Sequence, residues 1–242
     1  MTDANPNEVP PINHLKVAAA NAAVAQLEDG MVIGLGSGST ATLAITAMGK
    51  RIAEERLRIV GIPTSEKSAK HARELGIVLT TLDEHPQIDL TIDGADEVEM
   101  HTLNLIKGGG GDLLREKIVA SASTRFVIVV DDTKLVDRLG TRFAVPVEVE
   151  PFGWQTTAER LRKLGAKPTL RLRPDGGTFI TDGGHYILDS AFGKIESPRD
   201  LDAKLNNVVG VIEHGLFIGL ASQVIVGGAK GVSMLFHGES KR

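Results

Sequence analysis

The chain has 242 residues, of which 42% are hydrophobic and 24% are charged, and its formal net charge is -4. This balance is typical of a globular protein, and the length suffices for one large α/β domain that carries a smaller one. A negatively charged chain without a basic stripe is not expected to bind nucleic acid. The absence of cysteine excludes disulfides and thiolate metal sites, and no apolar run is long enough to span a membrane.

Residues 1–13 form a polar, proline-containing stretch that lacks the basic start and apolar middle of a signal peptide. We expect a disordered arm here. We also expect a cytoplasmic location, which the lack of cysteine fits.

The first predicted unit has the order helix, strand, loop, helix. Small and apolar residues recur at helical spacing from His14 to Glu28, and Met31 to Leu35 is typical of a short buried strand. The loop GLGSGST, Gly34 to Thr40, then leads into a helix predicted from about Ala41 to Met48. A glycine- and serine-rich loop before a helix suits a bound phosphate, although a plain strand-to-helix turn has the same pattern.

A second unit follows, with predicted strands at Arg58 to Ile62 and Ile77 to Thr80 on either side of a helix that Ser65 caps. A further apolar run, Ile88 to Ile92, ends at Asp93. Ligand groups in open α/β sheets gather at the carboxyl ends of strands, so we expect Asp93 and the GSGST loop to share one crevice.

The segment from Asp93 to Lys117 reads DGADEVEMHTLNLIKGGGGDLLREK and carries most of the predicted chemistry. Two carboxylates open it, a lysine precedes four consecutive glycines, and a helix with Glu116 closes it. A run of glycines costs backbone entropy and is expected where the backbone approaches a ligand closely. Acids, a cation and an oxyanion-type loop together favour proton transfer on a phosphorylated or carbonyl substrate. An acid near a helix N-terminus is also favoured by the helix dipole alone.

Two lysines outside this segment are ambiguous by themselves. Lys16 lies in the first turn of a helix, where a cation opposes the helix dipole, and is either a solvated lysine or a ligand contact. Lys134 follows the apolar run Phe126 to Val130 and Asp131. It either reaches a phosphate as a point charge or pairs with Asp131 or Asp132 in a loop.

The pattern changes after residue 143. A strand at Val145 to Val149, a helix at about Thr156 to Leu164 and a helix that Ser197 caps enclose three β-prone runs, 169–173, 178–181 and 186–188. Asp-Gly turns between these runs predict hairpins. We therefore predict a small α+β domain at 144–213, inserted into a main domain at 14–143 and 214–242. The runs 215–220, 223–226 and 231–236 are expected to return to the main sheet.

Four motifs in this order, GSGST, DGAD, IKGGGG and LREK, resemble the type A family of ribose-5-phosphate isomerases. The resemblance extends from Leu15 through VDDTK and PVEVEPF to the DGG turns. It implies a Rossmann-like, mostly parallel sheet flanked by helices, with an inserted ferredoxin-like α+β domain. It also implies a homodimer or homotetramer that interconverts ribose 5-phosphate and ribulose 5-phosphate through an enediolate, with no metal and no cofactor.

The resemblance also implies roles for single residues. Glu116 matches the general base, and Asp93, Asp96 and Lys107 match the acidic turn and the lysine of the lysine-glycine segment. For the mechanism we expect Asp93 to act as proton shuttle, Asp96 to orient hydroxyls, and Lys107 with the N–H groups of Gly108 to Gly110 to stabilise the enediolate oxygen. The substrate-binding positions that match are Lys16, Ser37, Gly38, Ser39, Thr40, Asp93, Gly94, Ala95, Asp96, Lys107, Gly108, Gly109, Gly110, Asp131 and Lys134. Ser37 and Asp112 depart from the common pattern, in which threonine and a small residue are usual.

Two other functions remain open. Sugar-phosphate sensor domains of transcription regulators resemble this fold and bind similar ligands without turnover, but they are normally joined to a helix-turn-helix, and no such basic segment precedes Leu15. An NAD-dependent enzyme would depend on the glycine loop alone, where Ser39 replaces the third glycine of the dinucleotide fingerprint.

Overall fold

The structure is a computed structural model that describes residues 12–236. The arm predicted at 1–13 therefore lies outside the described residues, except that its last two residues belong to the first helix. The helices are α1 (Ile12–Val24), α2 (Ser39–Glu55), α3 (Glu66–Glu74), α4 (Leu113–Ser121), α5 (Trp154–Lys163) and α6 (Pro198–Asn206). The strands are β1 (Val32–Leu35), β2 (Val60–Pro63), β3 (Val78–Leu79), β4 (Ile88–Asp93), β5 (Glu97–Glu99), β6 (Leu105–Ile106), β7 (Ser123–Asp131), β8 (Leu135–Val136), β9 (Val145–Val149), β10 (Lys167–Leu170), β11 (Tyr186–Ala191), β12 (Val211–His214), β13 (Leu216–Phe217), β14 (Gln223–Gly228) and β15 (Gly231–Phe236).

The main sheet has seven strands in the order β15-β14-β7-β4-β1-β2-β3. All neighbours pair in parallel except β15, which runs antiparallel to β14. Strand β7 is buried on both faces, because Val127 and Val129 pack with α1 and α2 while Phe126, Ile128 and Val130 pack on the opposite side. The predicted Rossmann-like, mostly parallel sheet is confirmed.

The strand order places the GSGST loop next to the turn that begins at Asp93. Strand β1 lies between β2 and β4, and Leu35 at its end pairs with Ile92 near the end of β4. The chain winds outward from this point in both directions, which makes it the topological switch point where ligands bind in open α/β sheets.

A smaller antiparallel sheet has the order β10-β11-β9-β12 and packs with α5 and α6. Its elements follow each other as β-α-β-β-α-β, the ferredoxin-like arrangement. They span 145–214, so β12 runs one residue beyond the predicted boundary. The division into two domains stays a prediction. A third sheet, β13-β6-β5-β8, lies against the main sheet.

The predicted strand at Thr178–Thr181 is wrong. This segment belongs to an irregular loop between β10 and β11 and forms only an isolated bridge from Thr178 to Leu172. The Thr181 hydroxyl donates to buried Glu148 over 2.8 Å, and its backbone N–H donates to the His185 carbonyl over 2.9 Å. These bonds close a turn where a strand ladder was expected.

Two other predictions about elements are corrected. Of the run 215–220, only Leu216–Phe217 is a strand, and it joins β6 and not the main sheet, because the Lys107 N–H donates to the Gly215 carbonyl over 2.9 Å. Helix α2 is longer than predicted. Gly49 continues it because the missing side chain admits Leu75, whose Cβ would lie 2.8 Å from a Cβ at this position.

No helix within residues 12–236 is both long enough and apolar enough to cross a membrane.

Candidate active site

A cavity of about 110 Å³ lies at the carboxyl ends of β1 and β4. It is lined by Lys16, Ser37, Gly38, Ser39, Thr40, Gly94, Ala95, Asp96, Lys107, Gly108, Gly109, Gly110, Glu116 and Lys134. All predicted site residues line this cavity except Asp93 and Asp131, whose side chains are buried. A larger groove of about 590 Å³ beside α3 and α4 contains none of the predicted residues, so chemistry and not volume identifies the site.

One end of the cavity is built for an anion. Gly38 precedes α2 with a positive φ of 89°, and the 17-residue helix begins at Ser39, so its unpaired backbone N–H groups and positive dipole end face the cavity. The Lys16 ammonium donates to the Ser39 hydroxyl over 3.2 Å and lies 3.8 Å from the Asp131 carboxylate. Lys134 lines the cavity as well. Two cations and a helix N-terminus suit a phosphate dianion.

The Ser37 hydroxyl belongs to a buried hydroxyl cluster that sequence reasoning missed. It is hydrogen-bonded to Thr64 over 2.7 Å, donates to Ser65 over 2.9 Å and lies 3.3 Å from the Ser68 hydroxyl. Ser65 caps α3 as predicted, accepting the Ser68 N–H. Ser37 therefore anchors the loop to α3. In the sequence, Ser65 indicated only the start of a helix.

Three charged side chains meet in the floor of the cavity. The Lys107 ammonium lies 2.9 Å from Asp93 Oδ2 and 3.3 Å from Glu116 Oε2, and it donates to the Gly94 carbonyl over 2.7 Å. Asp93 Oδ1 accepts the backbone N–H groups of Ser37 and Gly94. Asp93, Lys107 and Glu116 are 0%, 2% and 5% exposed, so solvent screens their interaction weakly.

Burial governs the protonation of this trio. Burial raises the pKa of Glu116 to about 8, against the opposing charge of Lys107, and burial also raises the pKa of Asp93. Burial lowers the pKa of Lys107, but the two carboxylates outweigh this and hold it above its ordinary value. The site therefore combines a permanent cation with a glutamate that is a stronger base than usual.

The glycine run lies against Asp96. Asp96 Oδ2 accepts the Gly109 N–H over 2.8 Å. A Cβ at Gly109 would lie 2.6 Å from Asp96 Oδ1, and Gly108 has a φ of +97°. Both positions therefore require glycine, one for space and one for conformation.

Asp112 precedes α4, and its carbonyl accepts the Glu116 N–H over 3.0 Å, but its carboxylate makes no capping hydrogen bond. Burial and the nearby Asp182 raise the pKa of Asp112 to about 6. This departure from the family pattern thus puts a carboxyl of raised pKa beside the glycine run.

Phe217 is a second residue that sequence reasoning missed. Its ring lies 5.5 Å from the Lys107 ammonium and 5.0 Å from that of Lys117, a cation–π arrangement for both. In the sequence it belongs to an apolar run that indicates only a core position.

Within residues 12–236 no cluster of three or more histidine, aspartate, glutamate or cysteine side chains is arranged to hold a metal ion.

The profile of a known family, ribose 5-phosphate isomerase A (phosphoriboisomerase A), matches residues 60–231. The chain belongs to this family. Ribose-5-phosphate isomerase A of Gloeobacter violaceus is 56% identical over 221 residues, which cover 91% of this chain and 95% of that protein. The protein of the same name from Synechococcus sp. is 51% identical over 223 residues, which cover 92% of this chain and 97% of that protein.

Solved structures of ribose-5-phosphate isomerases share the fold. The enzyme from Methanocaldococcus jannaschii has a TM-score of 0.90 and 44% identity and covers 93% of this chain and 100% of its own. A D-ribose-5-phosphate isomerase in complex with phospho-erythronic acid has a TM-score of 0.91 and 41% identity, with 94% and 100% coverage. The resemblance seen in the motifs is confirmed, and the protein is an aldose–ketose isomerase of ribose 5-phosphate.

Proposed function

We propose that the cavity interconverts D-ribose 5-phosphate and D-ribulose 5-phosphate through an enediolate, with Glu116 as the general base. The observation that carries this assignment is the position of Glu116, buried in the cavity wall and 3.3 Å from the Lys107 ammonium. An ordinary glutamate with a pKa of about 4.3 is a weak base for removing a proton from carbon. A pKa of about 8 brings Glu116 close to the range in which general bases work best.

The reaction needs one proton to move between two neighbouring carbons. A second proton must move from the hydroxyl oxygen on one of these carbons to the carbonyl oxygen on the other, and the two neighbouring oxygens of the enediolate exchange it between them. Glu116 takes the proton from the carbon beside the carbonyl and returns it to the adjacent carbon. Lys107 and the backbone N–H groups of the glycine run stabilise the negative charge that develops on the enediolate oxygens. A fixed cation and fixed dipoles stabilise such charge more strongly than water does, because they need no reorganisation during the reaction.

The phosphate group binds at the opposite end, between Lys16, Lys134 and the first turn of α2, where the Ser39 and Thr40 hydroxyls lie. A related isomerase has been solved in complex with phospho-erythronic acid, a ligand that carries both a phosphate and a second acidic group. This complex supports two separate anion-binding regions in the cavity. Lys107 is the cation that faces the second acidic group here.

Asp93 has no exposed surface and lies behind Lys107. In place of the direct proton shuttle expected from the sequence, we assign it the role of holding Lys107 charged and in place. Asp96 lines the cavity and bonds the glycine run, so it orients both substrate hydroxyls and the loop. The cytoplasmic location, the homo-oligomeric assembly and metal-independent turnover stay predictions. No observation favours the sensor alternative.

Incubating the purified protein with ribose 5-phosphate and excess EDTA, and measuring ketose formation, tests this function. We expect turnover at a rate that EDTA does not lower. Turnover that appears only after a divalent cation is added would contradict the proposed mechanism, and tight binding of the sugar phosphate without turnover would support the sensor alternative.

A further inference from the structure

The glycine run of the active site is held from behind by a side chain of the small antiparallel sheet. Arg171 directly follows β10, and its Nη1 donates to the carbonyl oxygens of Gly108 over 3.0 Å and Gly109 over 3.1 Å. Arg171 does not line the cavity. These two carbonyls therefore point away from the space that the substrate occupies.

The guanidinium is itself fixed. Its Nε donates to Asp189 Oδ2 over 2.9 Å, and its Nη2 pairs with the other oxygen of the same carboxylate. It lies over the Phe179 ring at 5.7 Å. Phe179 in turn packs on Gly111, where a Cβ would lie 2.4 Å from the ring. These contacts hold the guanidinium group of Arg171 in place before any substrate binds.

Peptide geometry converts this anchor into an orientation of N–H groups. All described peptide bonds are trans, and in a trans peptide the N–H points opposite to the carbonyl of the same unit. The Gly108–Gly109 peptide shows this directly, since its carbonyl bonds Arg171 while its N–H bonds cavity-lining Asp96. The Gly109–Gly110 peptide has its carbonyl on the same guanidinium, so the Gly110 N–H also points into the cavity.

We propose that Arg171 is a positioning residue for the isomerisation, which aims the Gly110 N–H at the developing enediolate by holding the two preceding carbonyls. This inference rests on the proposed function, since it assigns the glycine run a role in that reaction. The Gly109 N–H is already used by the Asp96 carboxylate, so the Gly110 N–H is the donor that this anchor leaves for the enediolate. Arginine suits this position because its planar guanidinium group can bind two carbonyl oxygens and a carboxylate at the same time.

The effect belongs to catalysis and not to phosphate binding. The phosphate end, with Lys16 and the start of α2, is a separate part of the cavity that Arg171 does not contact. Removing one oxyanion donor lowers kcat by about 10²–10³-fold in well-studied enzymes. Misdirecting a donor that is still present should cost less, and we expect Arg171→Met to lower kcat by about 10-fold or more.

The test compares Arg171→Met and Arg171→Lys with Arg173→Met, a matched control. Arg173 lies two residues along the same loop, pairs with Asp175 and is 54% exposed. We expect Arg171→Met to lower kcat while KM and competitive inhibition by inorganic phosphate change less than about twofold. Inhibition by phospho-erythronic acid should weaken along with kcat, and the pH midpoint of kcat/KM should stay in place. Arg171→Lys should recover part of the loss, and Arg173→Met should behave as wild type.

Unchanged kcat in a folded Arg171→Met variant would overturn the inference, and so would an equal weakening of phosphate and phospho-erythronic acid inhibition. If Arg171→Met does not fold, Asp189→Asn decides. This variant keeps Arg171 but weakens the hydrogen bonds that hold its guanidinium group, and it should lower kcat without raising KM. A wild-type protein without isomerase activity would instead refute the proposed function, so the two failures are distinguishable.

Discussion

Glu116 shows how much of this site depends on where one side chain is buried. An acid in the first turn of a helix is common and usually solvated, but this one is 5% exposed and lies 3.3 Å from a lysine that also contacts a second carboxylate. Burial disfavours its ionised form, so its conjugate base binds a proton more strongly than an ordinary glutamate. The residue type was predictable from the LREK motif, whereas the pKa depends on distant parts of the chain that bury it.

The pH dependence of kcat/KM follows from that pKa. Glu116 acts as a base only when deprotonated, so activity should rise with pH and reach half its plateau near pH 8. The phosphate of the substrate titrates near pH 6 and is resolved from this step by its lower midpoint. Lys134→Met is the control, because it removes a cation that is not among the causes of the Glu116 shift and should leave the midpoint unchanged. A sole midpoint at or below about pH 5 would contradict the assignment.

Lys107 makes the second prediction at this scale. Lys107→Met leaves the carboxylates of Asp93 and Glu116 buried without their cation, a change that costs about 3–5 kcal/mol in typical buried pairs. Losing the cation raises the pKa of both acids further, so they take up protons as the pH falls. The loss in free energy of unfolding should therefore be large at pH 8 and smaller at pH 5.5.

Urea unfolding of Lys107→Met and Lys134→Met at both pH values measures this difference. Lys134 lies outside the buried trio and should cost little at either pH. A stability loss for Lys107→Met that is the same at pH 5.5 and pH 8 would mean that the carboxylates do not respond to the lysine.

At the scale of elements, the glycine run depends on what packs behind it. Gly111 combines a φ of +98° with a contact to Phe179 that leaves no room for a Cβ. Gly111→Ala should cost about 1–3 kcal/mol for the backbone conformation and about 1–3 kcal/mol more for overpacking. It should also lower kcat, because Phe179 supports Arg171.

Gly165→Ala separates the two contributions. Gly165 has a φ of +95°, but a Cβ added there would meet no atom within 4 Å, so this variant should show the backbone cost alone. Chemical denaturation of both variants gives the comparison. Equal losses would show that the Phe179 contact contributes nothing.

Local patterns predicted the elements well where the pattern was sufficient. The apolar runs that became β4 and β7, the cap at Ser65 and the position of Asp93 at a strand end all follow from neighbours in sequence. The Thr178–Thr181 strand failed because Glu148, distant in sequence, holds the Thr181 hydroxyl while the Thr181 N–H closes a turn with the His185 carbonyl and is not available for a strand ladder. Arg171 and Phe217 were missed for the same reason, since their contacts with the site join segments far apart in the chain.

At the scale of the whole molecule, the two predicted domains share an apolar core next to the site. Ile106, which precedes the catalytic lysine, and Leu216 share one apolar core with Val147, Leu161 and Leu188 of the small sheet. Two units with a common core are expected to unfold together. The mostly parallel sheet and the inserted antiparallel one were predictable from the order of elements, but this shared core was not.

Trp154 provides a test of that coupling, because it is the only tryptophan and packs on the shared core. In urea, its fluorescence should change in one transition that coincides with the loss of far-UV circular dichroism, as in two-state unfolding. A separate, earlier transition of Trp154 fluorescence would show that the small sheet unfolds independently.

Solvent exchange tests the central claim, that Glu116 carries a proton between two carbons, most directly. In D₂O, the proton held by Glu116 should exchange in part with solvent before it is returned, so wild-type protein should introduce deuterium at the reacting carbon of the sugar phosphate, as followed by NMR. Glu116→Gln should bind inorganic phosphate normally and yet exchange and isomerise at least about 10²-fold more slowly. The control Glu66→Gln changes an exposed glutamate on α3 and should keep full activity. A folded Glu116→Gln protein that exchanges deuterium at the wild-type rate would contradict the account.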